Sequence, residues 1–480
     1  MLVEMFPSLK ENKLIKLINK FFYSYYYLAF IALLTALTCI FGFEMYTYYI
    51  YILCGGLIPC LFCDDMTPVF APLGMAYSSV SLATNNASNH KSLFGDRWHH
   101  LYIILALIFL VIFPRFIYEL VTKKERRSHK PYLLVGYIFL GFSFTLGGVN
   151  SSTFSLRDVT FGLVEFLALS GCYFILLYII DWRKMKSDYY AHLMMFYGLA
   201  LVIEVIVSLI LTNGKTVRTG WGIGNNIAEQ MCMCVCAPLY LAIKKRKSWI
   251  YLSAAGTILL GTGLTNSRTG ALMGTILCVT GLIFFYIKAN KKQRIQSLIV
   301  FVLAAILFFG WFFIFFDTSV RIFAGLTGYN SSKSLADLTG RDKIWTLGIN
   351  TFKEEYRFGG GWYRLRKYRD HNFTFDFVPP RYHNTVIQLL ACTGIVGFIC
   401  YFHHRYQTIK MTFTKPTLEK IFIFLSICGL LLTSIFDCHV FNLGPGLNYC
   451  IALSFIEGLN IRDDVKIGKS PLLKLIQNMK

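Results

Sequence analysis

The sequence predicts an all-α polytopic membrane protein, and three observations predict it. Hydrophobic residues fill 55% of the 480 positions and charged residues only 15%, where a soluble domain carries about 25% charged. Apolar runs long enough to cross a hydrocarbon core of ~30 Å recur along the chain. Basic clusters separate those runs at alternating ends, the charge asymmetry that orients membrane helices. The expected architecture is about 12–14 transmembrane helices with one large extracytoplasmic loop that carries an amphipathic interfacial helix.

Taken in order, a basic cytoplasmic tail (1–21) holds Lys10, Lys13, Lys16 and Lys20 and precedes a first apolar run without a small-residue cleavage site. That run reads as a retained span. Fourteen spans are expected near 22–40, 46–63, 67–84, 99–119, 131–149, 159–180, 191–212, 226–243, 249–265, 271–287, 296–316, 385–402, 420–436 and 445–459. The third is poor in bulky apolar residues but is required by charge. TKKERRSHK (122–130) and the amino-terminal tail both belong on the cytoplasmic side, so an even number of spans separates them. WRKMK (182–186), KKRK (244–247), KANKKQR (288–294), the 403–419 loop and the basic tail after Ile461 keep that register, which places both termini in the cytoplasm. Four regions result: the tail, amino-terminal helices over 22–245, a region over 249–402 including the outer loop 317–384, and carboxy-terminal helices with a basic tail over 403–480.

The net charge of +21 is therefore mostly an orientation signal and not a nucleic-acid footprint. The outer loop 317–384 departs from this, with eleven basic residues against seven acidic. The fourteen cysteines lie largely inside spans, as in MCMCVC (231–236). The single CxxC, Cys60 to Cys63, lacks the second pair that a zinc site needs. Neither a metal nor another cofactor is expected.

Chemistry-bearing residues gather in the outer loops. The loop 85–100 contains His99 and His100, but neighbouring histidines do not share a helix face, and Trp98 there reads as an interfacial anchor. NGKTVRTGWGIGNN (213–226) sets Arg218 among three glycines ahead of an asparagine pair where a helix should begin. An ordinary loop arginine is the plainer reading of Arg218. TNSRTG (265–270) holds Arg268 between two span ends, where it either binds a ligand or snorkels to lipid phosphates.

In the large loop, Arg341 opens a helix expected over 341–357, with Trp345, Ile349, Phe352 and Tyr356 as its apolar stripe and Gly359 to Gly361 as its stop. YRLRKYRDH (363–371) interleaves Arg364 and Arg366 with aromatics, which suits a phosphorylated ligand, stacked sugar rings or a plain interfacial belt. Pro379-Pro380 then stiffens the approach to Arg381, Tyr382, His383 and Asn384.

Arg218, Arg268 and His383 each stand just before a helix that runs inward from the outer face. Free N–H groups and the positive dipole end at such a helix start favour phosphate. The same dipole helps keep a nearby imidazole neutral and able to take a proton, while arginines hold pyrophosphate bidentately. Phosphate chemistry at the outer face follows as an expectation.

At these residues the chain resembles the O-antigen ligase-like family of bacterial membrane glycosyltransferases, which includes O-antigen ligases and surface polysaccharide polymerases. The resemblance rests on GLTNSRTGAL (263–272), GRDKIW (340–345) with the Gly359–Gly361 run, and YHNTVIQLLACTGIVGF (382–398), with VRTGWGIGNN (217–226) as a weaker element. It covers about 250–400. It implies transfer of a glycan from undecaprenyl pyrophosphate to an acceptor hydroxyl, without metal or nucleotide sugar, in the bacterial inner membrane. Carried over by position, His383 is the general base, and Arg268 and Arg218 hold the pyrophosphate. Arg341, Asn384, Arg381, Arg364 and Arg366 are the substrate-binding candidates, with Asn384 orienting His383. A second His-Asn pair, His371-Asn372, leaves the choice of base open. The implied partners are the lipid-linked donor, a lipid-linked or lipid-core sugar acceptor, membrane lipids and other polysaccharide-assembly membrane proteins. A transporter or flippase of lipid-linked oligosaccharide is the alternative, with Glu165 and Glu204 as its intramembrane candidates.

Overall fold

The computed structural model describes residues 11–78, 98–123, 129–211, 218–219, 222–265, 267–314, 341–365 and 381–467. These residues are overwhelmingly helical. In chain order the helices are α1 (Lys13–Phe22), α2 (Tyr25–Phe41), α3 (Glu44–Tyr51), α4 (Ile58–Phe62), α5 (Phe70–Met75), α6 (Trp98–Thr122), α7 (Leu134–Thr145), α8 (Leu156–Ile179) and α9 (Tyr189–Leu211). They continue with α10 (Gly224–Cys234), α11 (Cys236–Lys244), α12 (Ser248–Leu264), α13 (Arg268–Lys288), α14 (Lys291–Ile314), α15 (Arg341–Glu354), α16 (Thr385–Phe413), α17 (Leu418–Ile435) and α18 (Leu443–Arg462). A minimal antiparallel pairing, β1 (Arg218–Thr219) with β2 (Gly222–Ile223), is the one strand pairing among the described residues.

Five of the described stretches are long and apolar enough to cross a membrane: α9, Gly224–Lys244, α13, α16 and α17. Seven are, if the α1–α2 pair, bent by 64°, and the two halves of α8, bent by 41°, each count as one span. Leu134–Thr145, Ser248–Leu264 and Tyr46–Phe62 are shorter apolar helices.

Two sequence expectations need correction. The third expected span, 67–84, is no continuous helix where it is described. A 3-10 turn over Thr67–Val69, the six-residue α5 and a second 3-10 turn over Ala76–Ser78 follow one another. Pro68 and Pro72 both sit in the first turn of one of these short pieces, where the missing N–H leaves no intrahelical bond unmade. The span expected over 385–402 instead continues as α16 to Phe413, so most of the expected loop 403–419 is helix.

The chain divides into two compact units. The first comprises 1–128, 178–334 and 422–429, the second 129–177, 335–421 and 430–480. Small residues let helices of the first unit approach closely, as membrane helices do. A Cβ on Gly270 would lie 2.3 Å from the Cβ of Ala228, and one on Gly261 would lie 2.4 Å from Met231 Cε. The cysteines of MCMCVC are packing residues of this kind. Cys232 and Cys236 are buried, and their thiols donate to the carbonyls of Gly270 and Leu277, both at 3.3 Å.

In the second unit, α16 is the central element, and it is broken at Gly394 (φ 62°, ψ −162°). The break frees backbone groups that the interior of a membrane protein has to satisfy. The segment after α15 does so. Ile395 N and Val396 N donate to the carbonyls of Tyr356 (2.9 Å) and Arg357 (3.2 Å), while Gly360 N and Gly361 N donate to Ala391 O (2.7 Å) and Cys392 O (3.2 Å). The two backbones meet so closely that a Cβ on Gly394 would lie 2.4 Å from Arg357 O, and one on Gly359 would lie 2.5 Å from Thr393 N. Trp362 completes the joint, fully buried with its indole N–H on Phe144 O at 2.9 Å.

Helix α15 ends at Glu354, three residues short of the expected 357, before the turn that leads to Gly359. Gly348 and Thr351 form its buried face, and Gly348 packs on Ile387 and Tyr382. Its apolar stripe is divided: Ile349 in the helix and Tyr356 just beyond it are about half exposed, while Trp345 and Phe352 are only partly exposed. Such a face suits a helix lying along a lipid boundary.

Candidate active site

The amino end of α16 is built residue by residue against the loop that joins α17 to α18. Asn384 is the N-cap of α16, its side chain accepting from the amides of Val386 (2.9 Å) and Ile387 (3.1 Å). Asparagine is well suited to this, because its short carbonyl reaches the unpaired amides of a first turn. The Asn384 amide in turn meets Cys438 Sγ at 3.1 Å, and the Thr385 hydroxyl donates to Ser434 O at 2.6 Å. Burial pushes the Cys438 thiol up in pKa, so it serves here as a protonated packing group.

His383 lies immediately before the cap with φ 53°, in the left-handed region. Non-glycine residues occupy that region only where the surroundings over-determine it, commonly at functional sites. Its Nδ1 is 2.9 Å from Asp437 Oδ1. A carboxylate oxygen accepts, so Nδ1 carries the proton and Nε2 presents its lone pair. Asp437 is 10% exposed and His383 35%, a buried acid supporting an accessible imidazole. Arg341, the first residue of α15, reaches the other carboxylate oxygen at 3.4 Å and donates to Phe436 O at 2.6 Å. The Cys438 amide gives Asp437 Oδ1 a second donor at 2.9 Å. Together these contacts orient the imidazole: the carboxylate fixes ring and tautomer, and Arg341 and the backbone fix the carboxylate.

The other arginines of this unit have a different setting. Arg381 forms an ion pair with Glu165 of α8 at 2.6 Å and donates to Phe441 O at 3.2 Å. Arg364 is bracketed by Glu354 and by Glu355 at 3.8 Å. Both guanidiniums are buried and answered by carboxylates of the protein. Asn384 spends its carbonyl on the helix cap and makes no described bond to the His383 ring. Arg366 and the His371-Asn372 pair lie outside the described residues.

In the first unit the segments of Arg218 and Arg268 come together. The β1–β2 pairing feeds directly into α10, whose first residue, Gly224, abuts the turn before α13: a Cβ there would lie 2.3 Å from Thr265 O. Ser267 caps α13, accepting from Gly270 N at 3.2 Å, and Arg268 is exposed in its first turn. Two helix starts thus share one edge of this unit, an arrangement that attracts anions. Of Arg218, the backbone in β1 is described.

Sequence reasoning missed Asp437. It stands 54 residues after His383, in a short loop whose one signal is an acidic side chain at the end of a span.

Two comparisons bear on this arrangement. Residues 253–402 match the profile of a family described as O-Antigen ligase. A curated protein from Escherichia coli (strain K12), described as an O-antigen ligase, is 22% identical over 270 residues. That match covers 52% of this chain and 63% of the relative, so it spans less than two thirds of the relative's length. The profile takes in Arg268, Arg341, His383 and the Gly394 break, and Asp437 lies beyond it. Over residues 253–402 the chain is thus similar to the O-antigen ligase family.

Proposed function

We propose that this protein is a membrane glycosyltransferase that moves a glycan from undecaprenyl pyrophosphate to an acceptor hydroxyl at the extracytoplasmic face, in bacterial surface polysaccharide assembly. The observation that carries the proposal is the contact of His383 Nδ1 with Asp437, on an imidazole that is 35% exposed. Nε2 takes the proton of the acceptor hydroxyl as that oxygen attacks the anomeric carbon of the donor. The bond from that carbon to the pyrophosphate oxygen breaks, and undecaprenyl pyrophosphate leaves with the bonding electrons. Asp437 steadies the imidazolium that results. Direct displacement inverts the anomeric configuration. A positioned base contributes ~10²–10⁴-fold in rate.

Arg268 and Arg218 are proposed to answer the charge on the leaving pyrophosphate, on the family resemblance and on the helix starts beside them. Arg341 acts on the base through Asp437. Arg364 and Arg381 are proposed as internal counter-ions instead of substrate ligands, because each is buried against a carboxylate. The amino and carboxy termini are proposed to be cytoplasmic, from the distribution of basic loops.

Ligase and polymerase differ only in the acceptor, a fixed lipid-sugar core or a second lipid-linked repeat. Purified protein in proteoliposomes containing an undecaprenyl-pyrophosphate-linked glycan separates them. Chain lengthening on that donor alone marks a polymerase, and transfer only when a lipid-core acceptor is added marks a ligase. Movement of the donor across the bilayer with no new glycosidic bond would instead support the flippase reading.

A further inference from the structure

We infer that Glu165 is a positioning residue for His383, acting through Arg381; this rests on His383 being the base. Glu165 lies in α8, far in sequence from the catalytic segment, with its side chain only 1% exposed. Its Oε1 is 2.6 Å from Arg381 Nη1. A carboxylate taken out of water needs a counter-charge close by, and among the described ion pairs Arg381 supplies it.

Arg381 is held on three sides. Glu165 fixes one end of its guanidinium, Phe441 O accepts from Nη2 at 3.2 Å, and the cation lies 5.7 Å from the Phe441 ring centroid. Phe441 belongs to the same α17–α18 loop that carries Asp437. Next in sequence, Tyr382 is buried and its amide donates to Gln388 Oε1 at 2.7 Å. His383 then adopts φ 53°, and Asn384 is fixed as the helix cap. The left-handed histidine is therefore tied down on both sides. Asp437 sets the ring's tautomer, and the Arg381 anchor sets where the backbone that carries the ring must lie.

Loss of the Glu165 charge leaves a buried guanidinium without its counter-ion. Arg381 then turns toward water and drags the backbone two residues ahead of it. A displacement on the order of 1 Å at a catalytic group costs ~10²-fold in rate. Glu165 touches no proposed substrate group, so the loss falls on kcat and leaves KM unchanged.

The test measures glycan transfer in proteoliposomes by Glu165→Gln, by the double variant Glu165→Gln with Arg381→Gln, and by His383→Ala, each at matched protein amount. Glu165→Gln is expected to lower kcat ~10²-fold at every pH with KM unchanged. The double variant leaves no uncompensated charge and keeps an amide donor for Phe441 O, so it is expected to recover at least ~10-fold over the single variant. This comparison holds even where the single variant folds poorly. Wild-type kcat in both Glu165 variants, with His383→Ala inactive, would overturn the positioning role and leave the base intact. Disappearance of the acid limb of the pH–rate profile in Glu165→Gln would also overturn it, by making Glu165 the base. Wild-type transfer by His383→Ala would remove the base reading itself, and this inference with it.

Discussion

Replacing Asp437 by asparagine probes the charge of the proposed dyad while sparing its shape. Two donors, His383 Nδ1 and the Cys438 amide, converge on Asp437 Oδ1, each at 2.9 Å. They hold the asparagine carbonyl at that position, so the new amide group faces Arg341, which keeps its bond to Phe436 O at 2.6 Å. Ring orientation and tautomer survive; what disappears is the negative charge beside the imidazolium formed during transfer. Unit charges ~4 Å apart interact by about 4 kcal/mol at an effective dielectric of ~20 and by about 1 kcal/mol in bulk water. His383 is 35% exposed and Asp437 10%, so solvent screens part of this, leaving about 2–3 kcal/mol. At 1.36 kcal/mol per decade, transfer slows by ~30–150-fold. The assay is initial-rate transfer in proteoliposomes at matched protein amount, with KM for the donor measured alongside. A rate within threefold of the parent protein would refute the dyad, as would a loss wholly explained by a smaller amount of folded protein.

Other expectations follow from the same geometry. Arg268 is exposed at the start of α13. Arg268→Ala should therefore leave thermal stability unchanged while lowering transfer ~10²-fold, as judged by melting temperature and initial rate. Asn384→Ala removes both N-cap bonds of α16 and should destabilise the protein by about 1 kcal/mol, whereas Asn384→Asp, which also caps, should restore the melting temperature. Gly394→Ala places a Cβ 2.4 Å from Arg357 O in a conformation only glycine tolerates. A cost of several kcal/mol is expected, seen as a sharp fall in folded protein in membranes.

Much of this was legible in the sequence because membrane helices announce themselves by composition. The expected spans at 159–180, 191–212, 249–265 and 271–287 coincide with α8, α9, α12 and α13 within a few residues. The Gly359–Gly361 run, expected as the stop of a helix, lies beyond the helix end at Glu354. Its deeper use was hidden, since the partner of that run is the Gly394 break in another helix, and backbone interlocks across distant segments leave no periodic trace. Basic residues are hard to read for a related reason. Arg364 and Arg381 sit in stretches that read as ligand-binding, yet Glu354 and Glu165 answer them. Charge partners are set by packing, and one-dimensional spacing does not record it. His383 is a candidate from its place before a span, whereas its contact with Asp437 required the fold to bring the α17–α18 loop to it.

The most direct test of the account is transfer by His383→Ala, beside His371→Ala, in proteoliposomes containing an undecaprenyl-pyrophosphate-linked glycan. With both variants present at parental levels, His383→Ala is predicted to form no glycosidic product and His371→Ala to retain most of the parental rate. Parental transfer by His383→Ala, or its loss only in His371→Ala, would contradict the assignment of the base.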